Sequence, residues 1–303
     1  MRYRLENVCS LNLICGEGPV WDTATNQLYF TDCMDSKIFS FSPEQGSCAL
    51  LKEDMQSASI TLHENGGFMV CGKEGFTYFN RENERCGLGI SKEGIRADNL
   101  NEIISDAKGR VYAGQDSFTD GNLLSTGYLF MLDLCGTIRV ADEGLHLANG
   151  MGFSPEADTF YLVDSIQRKI FKYSYRHSTG ELSGKESLYQ FDKDDGLPDG
   201  LAVDSEGFLW VALFQGSMLM RIDPDGKLNR VVRLPYTQPT SIAFGGKNMN
   251  KLFITSASLH SKSGLEPAGY DDAKDRGGSL YCLELDITGK EEYKARVNTK
   301  CNV

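Results

Sequence analysis

Six stretches of the chain repeat one phrase, and regular self-similarity of this kind restricts the fold to a ring or a stack of like units. Four copies are clear. They open Glu17-Gly18-Pro19-Val20-Trp21-Asp22, Asn101-Glu102-Ile103-Ile104-Ser105-Asp106, Asn149-Gly150-Met151-Gly152-Phe153-Ser154 and Asp199-Gly200-Leu201-Ala202-Val203-Asp204. Each runs through a turn into an aromatic or β-branched stretch, at residues 27–32, 109–114, 159–164 and 207–213. Weaker copies begin at Ala58 and Thr240. The units are roughly forty to fifty residues long, the period of a propeller blade.

Two-residue alternation dominates, and no long stretch carries the helical period of a buried helix. Within each unit a second strand follows a short turn, and an outer strand follows a polar turn such as Pro224-Asp225-Gly226. The expected fold is therefore all-β. It is a six-bladed β-propeller with four-stranded antiparallel blades, one domain over residues 1–303. A ring must close. Residues 3–8 have strand character but no blade of their own, so this N-terminal strand is expected to pair into the last blade. The last unit is expected to end in a strand near residues 293–297. Two long loops, at residues 115–126 and 258–278, are placed to roof one mouth of the channel or to serve as surface decoration.

In a ring, the first residue of each phrase precedes the innermost strand. Glu17, Ala58, Asn101, Asn149, Asp199 and Thr240 should therefore circle one mouth. Asn-Gly and Asp-Gly are common turn signals, and any one copy is explained as a turn. Together, the copies place acidic or amide oxygens at one point, with Gly18, Gly150 and Gly200 at a constant register. Carboxylate and amide oxygens suit a hard divalent cation. Calcium is the expected ion, and zinc, manganese and iron(II) tolerate similar sites. These side chains are too few to saturate calcium, so water or substrate must complete the shell.

The formal charge of −11 excludes a phosphate-rich partner, because nucleic acid and anionic membrane surfaces require clustered Lys and Arg. No apolar run is long enough to span a bilayer. The first residues lack an apolar signal core. Nine cysteines without a Cys-x-x-Cys pair fit free thiols in a reducing, cytoplasmic setting better than a disulfide framework. Exposed edge strands leave open a monomer or a weak homo-oligomer. The four histidines show no metal-ligand spacing, and there is no Gly-x-Ser-x-Gly elbow or phosphate-cradling loop.

Gly16-Glu17-Gly18-Pro19-Val20-Trp21, Ala148-Asn149-Gly150, Pro198-Asp199-Gly200, Leu209-Trp210-Val211-Ala212 and Ala243-Phe244-Gly245-Gly246 resemble the SMP-30/gluconolactonase/regucalcin-like family, in the same order along nearly the whole chain. The resemblance implies a six-bladed propeller with one divalent metal ion at the channel mouth, held by Glu17, Asn149 and Asp199. It implies hydrolysis of a sugar lactone, with the ion polarising the lactone carbonyl and water attacking it. Asp199 is the candidate base, and hydroxide on the ion is the competing nucleophile. Asn101 matches the asparagine of the family's Asn-Asp segment, followed here by Glu102. Sugar-lactone members often carry Arg at the place of Asn99, so this chain lacks that cationic fork. Asn99, Asn101 and Asp116 are expected to contact substrate hydroxyls. A calcium-binding regulatory propeller without catalysis, or a promiscuous esterase or phosphotriesterase-like hydrolase, are the alternatives.

Overall fold

A computed structural model of the protein describes residues 3–80, 85–88, 93–119, 122–123, 126–260 and 264–299. Six four-stranded antiparallel sheets form the ring, with one further two-stranded hairpin, Phe118–Thr119 with Asn122–Leu123. The inner strands of blades 1 to 6 are Gly16–Asp22, Ser59–Leu62, Leu100–Ser105, Ala148–Phe153, Leu197–Val203 and Pro239–Gly245. Leu197–Val203 and Pro239–Gly245 are buried at every position, whereas the outer strand Glu181–Gln190 is largely exposed. Among the described residues, no helix is long and apolar enough to cross a membrane.

Each blade is flat and apolar on both faces, so it must bury them against its neighbours. Six apolar clusters result, one at each interface between adjacent blades. Between blades 3 and 4, Tyr112, Phe153 and Phe160 pack together, with Phe153 and Phe160 centroids 5.1 Å apart. Between blades 5 and 6, Trp210 packs edge-on against Phe244.

The ring closes as the N-terminal segment suggested. Strand Leu5–Ser10 pairs antiparallel with Ser279–Glu284 and becomes the outermost strand of blade 6. The expected strand near residues 293–297 does not form in that blade. The C-terminal segment lies across the lower mouth instead, touching one blade after another. Ser205 N–H donates to the Thr288 carbonyl, Ala295 N–H to the Leu62 carbonyl and Arg296 N–H to the Gly109 carbonyl. Tyr293 packs against Phe153. With its outer place taken by the N-terminal strand, blade 6 leaves this segment free to cover the channel. Among the described residues, the segment makes isolated bridges to blades 2 and 5, His63 with Ala295 and Asp204 with Gly289.

The last residue of several phrases organises the lower turns. Asp204 accepts from the Glu206 and Phe208 N–H groups, from Trp210 Nε1 at 3.0 Å and from Arg221 Nε at 2.8 Å. Asp106 serves Arg110 in the same way in blade 3. These carboxylates are buried but paired. Replacing Arg221 by Ala leaves Asp204 buried without its cation, and is expected to cost about 3–5 kcal/mol. Urea unfolding measures it, and a loss well under 1 kcal/mol would show that the pair is dispensable.

Candidate functional site

The inner strands approach one another closely at the upper mouth, and glycine makes that approach possible. A Cβ on Gly18 would lie 2.7 Å from Ser59 Cα, one on Gly150 2.2 Å from Leu201 N, and one on Gly200 2.5 Å from Ser241 Cα. Real side chains do not fit at such distances, so the constant glycine after Glu17, Asn149 and Asp199 has a packing role. Next to each glycine the strand carries a bulge. The register slips between Glu17 and Val20, between Ala148 and Met151, and between Pro198 and Leu201. A bulge bends the strand and re-aims its side chains. Blade 2, whose copy of the phrase is weak, pairs without a slip.

The aspartates at the upper ends of the second strands fix where the inner strands begin. Asp32 accepts from the Ile14 and Cys15 N–H groups at 2.8 and 3.0 Å. Asp164 accepts from the His146 N–H at 2.9 Å. Both anchors lie just ahead of a candidate ligand.

Glu17, Asn149 and Asp199 are brought together. Burial, and then the neighbouring Asp199, Cys33 and Glu102, push the Glu17 carboxyl well above the usual carboxylate range, and the Gly18 N–H opposes this. Burial and Glu102 do the same to Asp199, opposed by the Asn149 side chain. Asn149 Nδ2 donates to Ser165 Oγ at 3.2 Å. Asp199 Oδ1 is buried and has no hydrogen-bond partner among the described residues. No Lys or Arg among those residues figures in the surroundings that set Glu17, Glu102 or Asp199. The buried carboxylates of Asp106 and Asp204 hold an arginine; among the described residues, these hold none.

Two uncompensated carboxylates, one with an orphaned oxygen, and a tethered amide fit a divalent cation by charge and by donor type. Among the described residues no three His, Cys, Asp or Glu side chains form a metal cluster, and the third donor here is an amide. The repeat did not single out Glu102. It is buried just below, with Oε1 accepting from Ser59 Oγ and from the Ile103 N–H at 2.9 Å. A bulge between Leu100 and Glu102 turns the residue after Asn101 inward, and counting along the repeat does not disclose it.

The three expected substrate contacts share one cavity. Asn99, Asn101 and Asp116 line a depression of about 460 Å³, together with Cys33, Met34 and Lys73. Asn99 has φ of +48°, a left-handed conformation that asparagine tolerates better than most residues. Its N–H donates to the Lys73 carbonyl, and its carbonyl accepts from the Asp116 N–H at 2.8 Å. Asn101 Nδ2 donates across to the Ala148 carbonyl at 3.2 Å, which ties blade 3 to blade 4. Part of what these residues do is therefore structural. The described parts of the two long loops follow the second strands Val111–Gln115 and Lys251–Ser256, at the end of each strand that faces this mouth.

The sequence profile described as the SMP-30/Gluconolactonase/LRE-like region matches residues 15–258. A pentonolactonase of Haloferax volcanii is 31% identical over 286 residues, covering 93% of this chain and 94% of its own. Pig (Sus scrofa) regucalcin is 28% identical, covering 96% and 97%. Among solved structures, a luciferin-regenerating enzyme superposes with a TM-score of 0.86 at 26% identity, covering 98% of this chain and all of its own.

The raised carboxyls set a pH dependence. Their folded-state pKa values lie above the unfolded ones, so ion-free stability falls as pH rises from about 4 through the raised values. Calcium is expected to raise the melting temperature strongly at neutral pH and little at pH about 4, where the carboxyls hold protons. Glu17→Gln should raise the melting temperature in chelator and abolish most of the calcium shift. Thermal unfolding at the two pH values checks this, and an equal calcium shift at both would contradict the assignment.

Proposed function

Because the chain belongs to the SMP-30/gluconolactonase/LRE-like family, we propose that it is a metal-dependent lactonase that opens a sugar lactone ring. The observation that carries this reading is the orphaned Asp199 Oδ1, buried beside Glu17 and Asn149. The polar side chains of Asn99, Asn101 and Asp116 in the cavity wall support it, as does the pentonolactonase relative.

Glu17, Asn149 and Asp199 would hold one divalent ion, calcium for preference given the all-oxygen donors. When bound, such an ion supplies positive charge that polarises a lactone carbonyl and stabilises the negative charge developing on its oxygen. Asp199 would accept a proton from the attacking water, and its burial raises its proton affinity. Asn99, Asn101 and Asp116 would orient the ring by hydrogen bonds to its hydroxyls, and so fix the carbonyl over the ion-binding residues. The amide and carboxylate wall favours a polyhydroxylated ligand over an apolar ester.

A pH-drop assay over a panel of aldonolactones, with and without chelator, tests the proposal. Turnover is expected, to be lost in chelator and restored by added ion. Asp199→Asn keeps one oxygen donor but removes the base, and should lower kcat by roughly 10²–10⁴-fold. Asn101→Ala should raise KM by about tenfold with a smaller effect on kcat. Absence of ion-dependent turnover on every lactone in the panel would leave an ion-binding propeller without catalysis.

A further inference from the structure

Two cysteines flank the candidate site, and nothing in the proposed chemistry uses them. Gly16 pairs with Asp32 across the first two strands of blade 1. One step outward, Cys15 and Cys33 stand directly opposite each other, and the Cys33 N–H donates to the Cys15 carbonyl at 3.0 Å. Directly opposed residues in such a hydrogen-bonded antiparallel pair have Cα atoms about 5.5 Å apart. That spacing lies in the range a disulfide spans, about 4.4–6.8 Å. The side chains are neighbours as well, for the Cys33 thiol leads the groups that push the Cys15 thiol above its ordinary range. Both residues are half-buried free thiols, and Cys33 lines the cavity beside Asn99, Asn101 and Asp116. A small oxidant in the cavity meets Cys33 first, with Cys15 behind it.

We propose that Cys15 and Cys33 form a reversible disulfide that switches the candidate site off, made by exchange with a small-molecule disulfide such as oxidised glutathione and broken by the corresponding thiol. In the first step the Cys33 sulfur attacks the glutathione disulfide; one glutathione leaves as thiolate and a mixed disulfide remains. The Cys15 sulfur then attacks the Cys33 sulfur and expels the second glutathione. The two cysteines are oxidised by two electrons, one glutathione disulfide is reduced to two thiols, and the two cysteine protons end on the departing glutathiones.

The bridge acts on the site through the chain. Cys15 lies just ahead of the strand Gly16–Asp22, two residues before Glu17, and Asp32, next to Cys33, anchors the Ile14 and Cys15 amides. Closing the sulfurs pulls Cys33 away from the cavity wall and tightens the strand pair from which Glu17 projects. A small displacement of a ligand or of the bound ring is costly to catalysis.

The activity arm of the test rests on the lactonase reading; the chemical arm does not. The whole protein is incubated with oxidised glutathione, alkylated and mapped by mass spectrometry, in parallel with lactonase assays and calcium titration calorimetry. The expected result is a Cys15–Cys33 peptide pair about 2 Da below the sum of its thiol forms. It should come with at least about a tenfold fall in kcat/KM, weaker calcium binding, and recovery of both in dithiothreitol. Cys33→Ser should show the same activity with and without oxidant, whereas Cys15→Ser should stop at the mixed disulfide of Cys33 with glutathione, which the same peptide mapping detects. A second thiol contact, Cys9 with Cys48, joins the closing strand to blade 1 and provides an internal comparison. Alkylation of both Cys15 and Cys33 after oxidation, or a bridge found only at Cys9–Cys48, overturns the proposal. A Cys15–Cys33 bridge that changes neither turnover nor calcium affinity overturns the switch. A mapped bridge that weakens calcium binding, in a protein that opens no lactone, supports the switch and rejects the lactonase reading.

Discussion

Six inner strands crowd around one axis until their backbones touch, and everything distinctive about the upper mouth follows from that crowding. Where Gly150 faces the Gly200-Leu201 backbone and Gly200 faces Ser241, no side chain fits. The inner strands of blades 1, 4 and 5 resolve the conflict with a glycine and a bulge, and the bulge swings the preceding residue toward the axis. The site is thus a by-product of ring closure. A chain that packs its blades this tightly cannot avoid aiming several side chains at one point, and here those side chains carry oxygen.

Aiming carboxylates at one buried point is destabilising unless something compensates. The same molecule shows the ordinary solution elsewhere. Asp106 is matched by Arg110 and Asp204 by Arg221, each inside a fully bonded cluster at the lower turns. Glu17 and Asp199 receive no such partner, and burial drives both toward their protonated forms. The six apolar interfaces hold the strands in place regardless, so the unfavourable arrangement persists in the folded state. Rigid placement of groups that would rather separate is the condition under which a site meets its ligand without reorganising.

The repeat was legible because ring geometry maps equal sequence positions onto equal spatial ones. It located Glu17, Asn149 and Asp199 without any knowledge of contacts, and it assigned residues 3–8 to the closing strand. It misread residues 293–297, because two-residue alternation describes any extended segment buried on one side. A cover over the lower mouth and a strand in a blade alternate alike. Glu102 escaped for a different reason. Counting from the first residue of the phrase selects Asn101, but the bulge in that strand shifts the inward position by one. The glycines carried two meanings at once: a ligand signal by register, and a packing requirement that only the distances disclose.

The cavity lined by Asn99, Asn101 and Asp116 obeys no such repeat. Its walls come from the ends of strands and from the loops that follow them. Asn99 stands in a left-handed turn against Lys73, Asp116 begins the long loop of blade 3, and Cys33 and Met34 begin the turn after the second strand of blade 1. These segments are free of the inter-strand contact that dictates glycine and bulge, so they can change without disturbing the ring. The division of labour is physical. Residues on the inner strands are fixed by the closeness of their neighbours, whereas residues on the rim are held only by local hydrogen bonds such as Asp116 N–H to the Asn99 carbonyl. On the lactonase reading, selectivity for one lactone over another would rest with the rim, whose segments can change without moving Glu17, Asn149 or Asp199.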